Sequence, residues 1–291
     1  MKYFIAALIW LVAVFTTSTH AQTITVHIPY SKTGNAQATT RLILDGLEQR
    51  GWRFDERVTA NPLLSAETFR RTTQPMLLLW GTDLVPTRTH AAYMPVPTAA
   101  DLVTVTYVVP RYICAATNTN VNLVTAEQFV SRDRVLTIGT AVVPADEQYL
   151  LALNQHLGTR HRVVKYTNSR ELEAAVAARE VDAVMTSVGL RLEQQNRARC
   201  FYNTSQYRVG TVPLVTDQHP HMVPRNFAGV SYLMARGLDT ATMARLRQDV
   251  LAVQREYQPF TDYLARNFNP ATPLILDQQL RMIADLDRNI P

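Results

Sequence analysis

The residues best placed to do chemistry lie in a polar loop between Pro29 and Asn35, with the sequence Pro-Tyr-Ser-Lys-Thr-Gly-Asn. An alternating apolar run precedes the loop at 24–28, and apolar residues at helical spacing follow it at 38–47. This order predicts a strand, a loop and a helix. Unpaired N–H groups and the positive end of the helix dipole then point into the loop, which favours an anion there. The alternative is a plain turn in which Asn35 caps the helix.

No catalytic pattern accompanies this loop. The sequence contains no His-Glu-x-x-His, Gly-x-Ser-x-Gly or Gly-x-x-x-x-Gly-Lys-Ser/Thr, which argues against the commonest enzyme classes. His219 and His221 have no third ligand at a suitable spacing, so a loop role is favoured over a metal site. We therefore expect no catalytic residue, no metal and no cofactor. Lys32 is a candidate partner for a carboxylate and Trp80 a candidate stacking surface, with a solvated lysine and a core tryptophan as the alternatives.

An alternation of predicted strands and helices positions these residues. Strands are predicted at 24–28, 52–58, 75–80, 135–139, 162–166, 181–185, 199–203 and 227–235, and Pro110 interrupts a long β-rich stretch at 103–116. Helices are predicted at 38–47, 145–157, 170–179, 243–253, 260–268 and 278–288. Such alternation is typical of parallel α/β sheets, which bind ligands beyond the carboxyl ends of their strands. Four such ends are expected to carry ligand-facing loops, at 30–35, 80–83, 139–145 and 186–189.

The amino terminus has the pattern of a secretory signal peptide. Lys2 provides a positive start, an almost unbroken apolar run follows at 4–15, and Thr19-His20-Ala21 fits a small-x-small cleavage site. We expect residues 1–21 to be removed and the mature chain to be periplasmic, because no later run reaches the roughly 20 apolar residues of a membrane helix. The formal charge of +5, from 29 Lys and Arg against 24 Asp and Glu, is spread along the chain. This excess argues weakly for a small anionic ligand and hardly at all for nucleic acid.

The two strand–helix series on either side of 103–116 suggest two α/β domains. The first would comprise residues 22–107 and, after a return strand near 227, residues 225–291. The second would comprise residues 108–224. This is the topology of a hinged two-lobed binding protein that closes around a ligand.

Motifs along the chain resemble those of one protein family. The first loop, Pro29-Tyr30-x-x-Thr33-Gly34-x-x-Gln37-x-x-x-Arg41, is similar to the Pro-Phe/Tyr-x-x-Gly-Gly-x-x-Asp-x-x-x-Arg signature of the tripartite tricarboxylate transporter solute receptors, the Bug family. Later segments of that family are resembled by Leu77-Leu78-Leu79-Trp80-Gly81, Ile138-Gly139-Thr140, Val164-Lys165-Tyr166 and Glu180-Val181-Asp182-Ala183-Val184-Met185. The order and spacing of these motifs extend over essentially the whole predicted mature chain.

The resemblance implies a type-2 periplasmic-binding-protein fold, an α/β fold in which two domains are joined by a hinge with a ligand cleft between them. Members of the family hold a small carboxylate there, largely through backbone N–H groups and ordered waters. The residues implied for ligand binding are Tyr30, Thr33, Gly34, Gln37, Trp80, Gly81, Thr82, Gly139, Thr140 and Ser187. The implied partners are a small organic acid and the integral-membrane subunits of a transporter, with no nucleic acid, and the receptor is expected to be a monomer.

The chain departs from the family pattern at several positions. Thr33 replaces a glycine and adds a Cβ, which is unfavourable if the backbone of the family pattern has a positive φ or a close approach at this position. Gln37 replaces an aspartate and so can donate as well as accept hydrogen bonds. Asp146 and Glu147 lie in the first turn of a predicted helix, where they suit the dipole but would repel an anion if they faced the cleft.

The resemblance also bears on Cys114 and Cys200, the two cysteines of the chain. In a two-lobed protein of this kind, the first strand of the second domain runs antiparallel beside the last strand before the chain returns. The two cysteines lie on those predicted neighbours, so a disulfide is expected in an oxidising compartment. Two buried free cysteines are the alternative.

The sequence is thus interpreted as an exported solute-binding protein that captures a small organic acid and delivers it to a tripartite membrane transporter. One alternative is a receptor that passes its ligand-bound state to a membrane signalling partner. A second alternative, from a different class, is an exported hydrolase, which would need a nucleophile–base pair in the cleft.

Overall fold

The computed structural model describes residues 23–30, 35–59, 61–81, 97–118, 121–122, 124–141, 144–204, 212–220, 228–267 and 279–281. The predicted signal peptide lies outside these ranges, as does the predicted last helix except for 279–281. Within the described ranges, no helix is long and apolar enough to cross a membrane.

The strands are short and mostly match the predicted ones. In chain order they are β1 Thr23–Ile28, β2 Arg53–Val58, β3 Met76–Gly81, β4 Leu102–Pro110, β5 Tyr112–Asn118, β6 Val121–Asn122, β7 Thr137–Ala141, β8 Arg162–Tyr166, β9 Ala183–Thr186, β10 Ala198–Asn203 and β11 Ala228–Arg236. The β-rich stretch predicted at 103–116 is two strands, β4 and β5, which separate at Arg111 and belong to different sheets.

The helices are α1 Asn35–Glu48, α2 Pro62–Arg71, α3 Ala126–Val130, α4 Pro144–Leu157, α5 Ser169–Ala178, α6 Gly189–Gln194, α7 Val215–Gln218, α8 Thr240–Glu256 and α9 Gln258–Asn267. The sequence interpretation missed α2 and the short helices α3, α6 and α7. The start of α2 does carry a signal, because Asn61 accepts a hydrogen bond from the N–H of Leu64 at 3.1 Å and Pro62 occupies the first turn.

The strands form two sheets with the same order of connections. Sheet A runs β2-β1-β3-β11-β4, and sheet B runs β8-β7-β9-β5-β10. In the spatial order of each sheet, three parallel strands are followed by an antiparallel strand, which is the first strand after the chain crosses from the other sheet. The edge strand beside it is the last strand before the chain crosses to the other sheet. The two halves of the molecule therefore repeat one architecture.

Both connections between the sheets join their carboxyl edges. β11 is antiparallel to β3 and to β4, so β4 ends at the edge where β1 and β3 end. β5 is antiparallel to β9, so it begins at the carboxyl edge of sheet B. The single residue Arg111 links the two edges, and its carbonyl accepts hydrogen bonds from Thr204 N at 2.8 Å and Thr204 Oγ1 at 3.1 Å. The edges at which α/β sheets bind ligands are thus brought together.

Sheet A packs one face against α1, α8 and α9. The alternating β1 residues on this face, Ile24, Val26 and Ile28, are each at most 1% exposed. A Cβ at Gly46 of α1 would lie 2.7 Å from Val253 of α8, so the two helices approach closely. Burial of each large aliphatic side chain stabilises the fold by roughly 1.5–3 kcal/mol. This packing holds in place the strands that end at the carboxyl edge of sheet A.

Sheet B carries an apolar cluster on each face, one with α3 and α4 and the other with α5 and α6. A disulfide joins Cys114 of β5 to Cys200 of β10, and the two residues are direct partners in the antiparallel pairing. This pairing is the one that the family resemblance implies. A Cβ at Gly189 would lie 2.8 Å from both sulfur atoms, so α6 packs directly on the disulfide.

The free edge of β4 is covered by polar side chains. The N–H of Val105 donates to Gln279 Oε1 at 2.9 Å, and the carbonyl of Val105 accepts from Gln254 Nε2 at 2.8 Å. Arg247 Nε donates to the carbonyl of Leu102 at 3.0 Å. These contacts satisfy backbone groups of the edge strand, which protects it from pairing with another chain.

Candidate functional site

The residues implied for ligand binding fall at four strand ends. Thr33, Gly34 and Thr82 lie outside the described residues, as do Lys32 and His221. The others follow or end β1, β3, β7 and β9, namely Tyr30, Gln37, Trp80, Gly81, Gly139, Thr140 and Ser187. All four strand ends belong to the two facing carboxyl edges. Contact of these residues with a ligand stays a prediction.

Thr140 carries the clearest sign of a binding role. It is 0% exposed, and its Oγ1 has no hydrogen-bond partner among the residues that the structure describes. Ile138 belongs to the cluster beneath α4, so Thr140, two residues further along β7, faces the same side. A buried hydroxyl without a partner costs about 1–3 kcal/mol, and such groups are rare in native proteins. The hydroxyl lies where β7 ends and α4 begins, at the point expected for an anion.

The two acids in the first turn of α4 do not leave an uncompensated negative charge there. Asp146 Oδ1 accepts from Arg111 Nε at 2.9 Å, and neither side chain is more than 4% exposed. Glu147 Oε2 lies 2.6 Å from Lys165 Nζ on β8. The anticipated repulsion of an anion is therefore offset by two cations, and the positive end of the α4 dipole keeps its effect.

Gly139 has a packing role. A Cβ at this position would lie 2.7 Å from Leu172 Cδ1 of α5 and 3.2 Å from the ring of Tyr166. Any side chain would therefore push α5 away from β7. Gly139 can therefore contact a ligand only through its backbone.

The structure explains why glutamine is accommodated at position 37. Gln37 Nε2 donates to Glu56 Oε1 of β2 at 3.3 Å, and Arg41 Nη1 donates to Glu56 Oε2 at 3.3 Å. An aspartate, as in the family pattern, would place a second carboxylate beside Glu56. Gln37 is half-buried, so its side chain also reaches solvent.

The end of β3 is deeply buried. Trp80 is 2% exposed, and Gly81 is buried as well. Leu77 and Leu79 belong to the cluster beneath α1, so Trp80 faces the opposite side of sheet A. This burial favours a packing role for the indole. Tyr30 and Ser187 are half-buried, so part of each remains accessible.

Two residues at the crossing between the sheets were not predicted from the sequence. Arg111 pairs with Asp146 as described above. Tyr112 is 1% exposed, and its hydroxyl has no hydrogen-bond partner within the described ranges. Burial raises the pKa of Tyr112, so the phenol stays protonated and can donate a hydrogen bond. The break at Pro110 marks this crossing in the sequence, but nothing there shows what the two side chains meet.

The two halves of the molecule also contact each other through their helices, because α9 of the sheet A half packs against α6 of the sheet B half. The hydroxyl of Tyr263 on α9 hydrogen-bonds to Thr39 of α1, and Arg191 of α6 lies close enough to act on it electrostatically. Burial raises the pKa of Tyr263, and the arginine opposes that rise. This contact links the two halves at a second place besides the crossings.

Metal binding has no support in the described part of the chain, where no group of three or more His, Cys, Asp or Glu could hold an ion.

The paired sheets and their facing edges define the type-2 periplasmic-binding-protein fold, as the sequence predicted. A solved structure of a periplasmic transporter matches with a TM-score of 0.73 at 13% identity, over 94% of this chain and 96% of that chain. MatC from Rhodopseudomonas palustris with bound malate matches with a TM-score of 0.68 at 16% identity, over 92% and 97%. The periplasmic binding protein BugD matches with a TM-score of 0.69 at 14% identity, over 92% and 94%. No protein-family model and no curated protein matches the chain. The resemblance to the Bug family is thus confirmed at the level of the fold.

Proposed function

We propose that the protein is an exported solute-binding protein that captures a small carboxylate between two lobes and delivers it to the integral-membrane subunits of a transporter. The observation that carries the proposal is the unpartnered hydroxyl of Thr140, buried at the carboxyl edge of sheet B where α4 begins. The fold shared with malate-bound MatC supports it. In this proposal the protein acts as a periplasmic monomer, with residues 22–107 and 225–291 in one lobe and residues 108–224 in the other.

Ligand entry requires the lobes to separate or the chain over Thr140 to move, because its hydroxyl is shielded from water as well as unpartnered. The hydroxyl then donates to a carboxylate oxygen, and the amino end of α4 adds N–H donors and its dipole. The ligand stabilises the closed state by the difference between its binding free energies for the closed and the open state.

The buried pair of Arg111 and Asp146 couples this site to the hinge. Arg111 is the single residue between β4 and β5 at one of the two crossings, and its guanidinium is bonded to the first turn of α4. A rotation about the crossing therefore also moves the amino end of α4. In this proposal, domain closure and formation of the carboxylate site are one event.

Non-covalent binding is favoured over catalysis at this edge. A hydroxyl nucleophile needs a base within hydrogen-bond reach, and Thr140 has no such partner among the described residues. The solved structures with this fold named above are binding or transport proteins.

Calorimetry with malate and a series of mono- and dicarboxylates tests the proposal. At least one acid should bind with one-to-one stoichiometry and raise the apparent unfolding temperature, since it binds the native state alone. The same mixtures, followed by NMR, should contain unchanged ligand. Absence of binding throughout the series, or conversion of any acid to a product, would overturn the proposed function.

A further inference from the structure

Four exposed arginines lie together at the end of sheet B opposite the ligand edge. Arg132 and Arg134 precede β7, and Arg160 and Arg162 lead into β8. The N–H of Arg162 donates to the carbonyl of Leu136 at 2.8 Å, and β7 and β8 pair in parallel from their first residues. Two segments that are far apart in the sequence therefore run side by side. We call these four residues the arginine patch.

The backbone that displays the patch is held firmly from beneath. His161 is buried; its Nδ1 accepts from the N–H of Leu136 at 3.3 Å, so its Nε2 carries the hydrogen and donates to the carbonyl of Phe129 at 2.6 Å. Arg132 Nε donates to the carbonyl of Leu157 at the end of α4, at 3.1 Å. The arginines thus project from ordered segments.

The charge of the patch is not neutralised within the described structure. Among the described residues, no carboxylate lies within 4.0 Å of any of the four guanidinium groups. Other exposed arginines have such partners, as Arg71 has in Glu67. Asp133 is the one acid in segments 132–135 and 160–162, and Val135 among them is 53% exposed. The patch is therefore a cationic surface with unused N–H donors.

The position of the patch indicates what it can bind. β7 and β8 are five residues long each, so the patch lies roughly 16 Å from the carboxyl edge. A transporter that receives the ligand has to reach that edge, so its contact is not expected here. An extended anionic surface can bind at this end and leave the carboxyl edges free. Guanidinium groups bind phosphate through two N–H donors at once, and clustered cations hold proteins at anionic lipids.

We propose that the arginine patch binds the phosphate groups of anionic phospholipids and holds the protein at a membrane surface with its ligand edges open to solution. Co-sedimentation with lipid vesicles tests this. The protein should bind vesicles made of equal parts phosphatidylcholine and phosphatidylglycerol, and not vesicles of phosphatidylcholine alone. Binding should weaken as salt is raised to about 0.15 M, where the Debye length falls to about 8 Å.

A triple variant locates the contact. Arg134→Gln, Arg160→Gln and Arg162→Gln together should weaken vesicle binding about 100-fold, or about fivefold per arginine. Arg132 is kept, because its guanidinium binds the end of α4.

The matched control removes the same charge from exposed arginines spread over the molecule, with Arg53→Gln, Arg199→Gln and Arg255→Gln. The fold-loss of vesicle affinity in this control should be less than a tenth of the fold-loss in the patch variant. Thermal unfolding and carboxylate binding should be unchanged in both variants.

Two results would overturn the proposal. One is equal loss of vesicle binding in the patch variant and the control. The other is absence of binding to the anionic vesicles; if the protein is then retained on polyglutamate through the patch, the surface is assigned to an acidic protein partner instead.

Discussion

Replacement of Thr140 by valine separates a role in ligand binding from a role in folding. Valine has nearly the same shape but lacks Oγ1, which is buried without a partner among the described residues. In the free protein, the change removes a hydroxyl whose burial costs about 1–3 kcal/mol. The free energy of unfolding should therefore stay the same or rise. In the complex, the change removes a hydrogen bond to a carboxylate worth about 1.5–3 kcal/mol, so the dissociation constant should rise about 10- to 150-fold.

Thr106 provides the matched control. It is also buried, at 1% exposure, but its Oγ1 donates to the carbonyl of Ser231 at 2.8 Å. Thr106→Val should therefore lower the free energy of unfolding by about 1 kcal/mol and leave affinity unchanged. Urea denaturation and calorimetry with the tightest-binding acid measure the two quantities. If Thr140→Val instead behaves like Thr106→Val, with lower stability and unchanged affinity, the reasoning about this hydroxyl is refuted.

Four further outcomes are expected. Asp146→Asn should lower the free energy of unfolding by about 3 kcal/mol, because it leaves a buried arginine without its counter-charge; Glu147→Gln, in the more exposed neighbouring pair, should cost less than about 1 kcal/mol in the same urea titration. The pKa of His27 is lowered by burial and, secondly, by a nearby arginine. At pH values below 6.5, the ordinary pKa of histidine, the unfolded chain therefore binds a proton that the folded chain does not bind. The unfolding temperature should decrease as the pH is lowered below 6.5, and it should decrease less steeply in His27→Leu. Equal slopes in the two proteins would contradict this. Gln37→Asp should destabilise the fold in low salt and much less in high salt, because its charge would face Glu56; a salt-independent effect would exclude repulsion. Cys200→Ser opens a loop of sequence separation 86 and should cost about 4–5 kcal/mol, whereas unchanged stability would show that the bridge constrains little.

Much of the fold could be predicted because the central parallel strands are buried on both faces and appear as short apolar runs. All six residues of β3 are buried, and the run is unmistakable in the sequence. Gly51, which has a φ of +88° in the turn after α1, is a further residue type that marks the end of a helix. α2 was missed for the opposite reason. Leu63 and Leu64 are 44% and 51% exposed, so its apolar residues do not form one buried stripe.

The site could be predicted only as far as it depends on strand ends, because strand ends can be located from the sequence alone. The loop that begins at Gly139 was identified in this way, and the family resemblance then implied Thr140, although neither indicated that its hydroxyl lacks a partner among the described residues. The pairing of Arg111 with Asp146 spans 35 residues and depends on how the crossing meets α4. The charge that is spread along the sequence also gathers in space at the arginine patch, which the sequence interpretation did not expect. In each case the sequence shows the charged groups without showing their neighbours.

The strand orders of the two sheets have a consequence for the order in which the halves can fold as the chain is synthesised. Every strand of sheet B comes from residues 112–203, and its entering and leaving strands are joined by the disulfide. Sheet A instead needs β11, which lies between β3 and β4 and follows the whole of sheet B in the chain. Closure of so long a loop carries a larger entropy cost than local pairing. The half of the molecule that is synthesised first is therefore the last to be completed, and until β11 arrives the facing edges of β3 and β4 are open to mispairing.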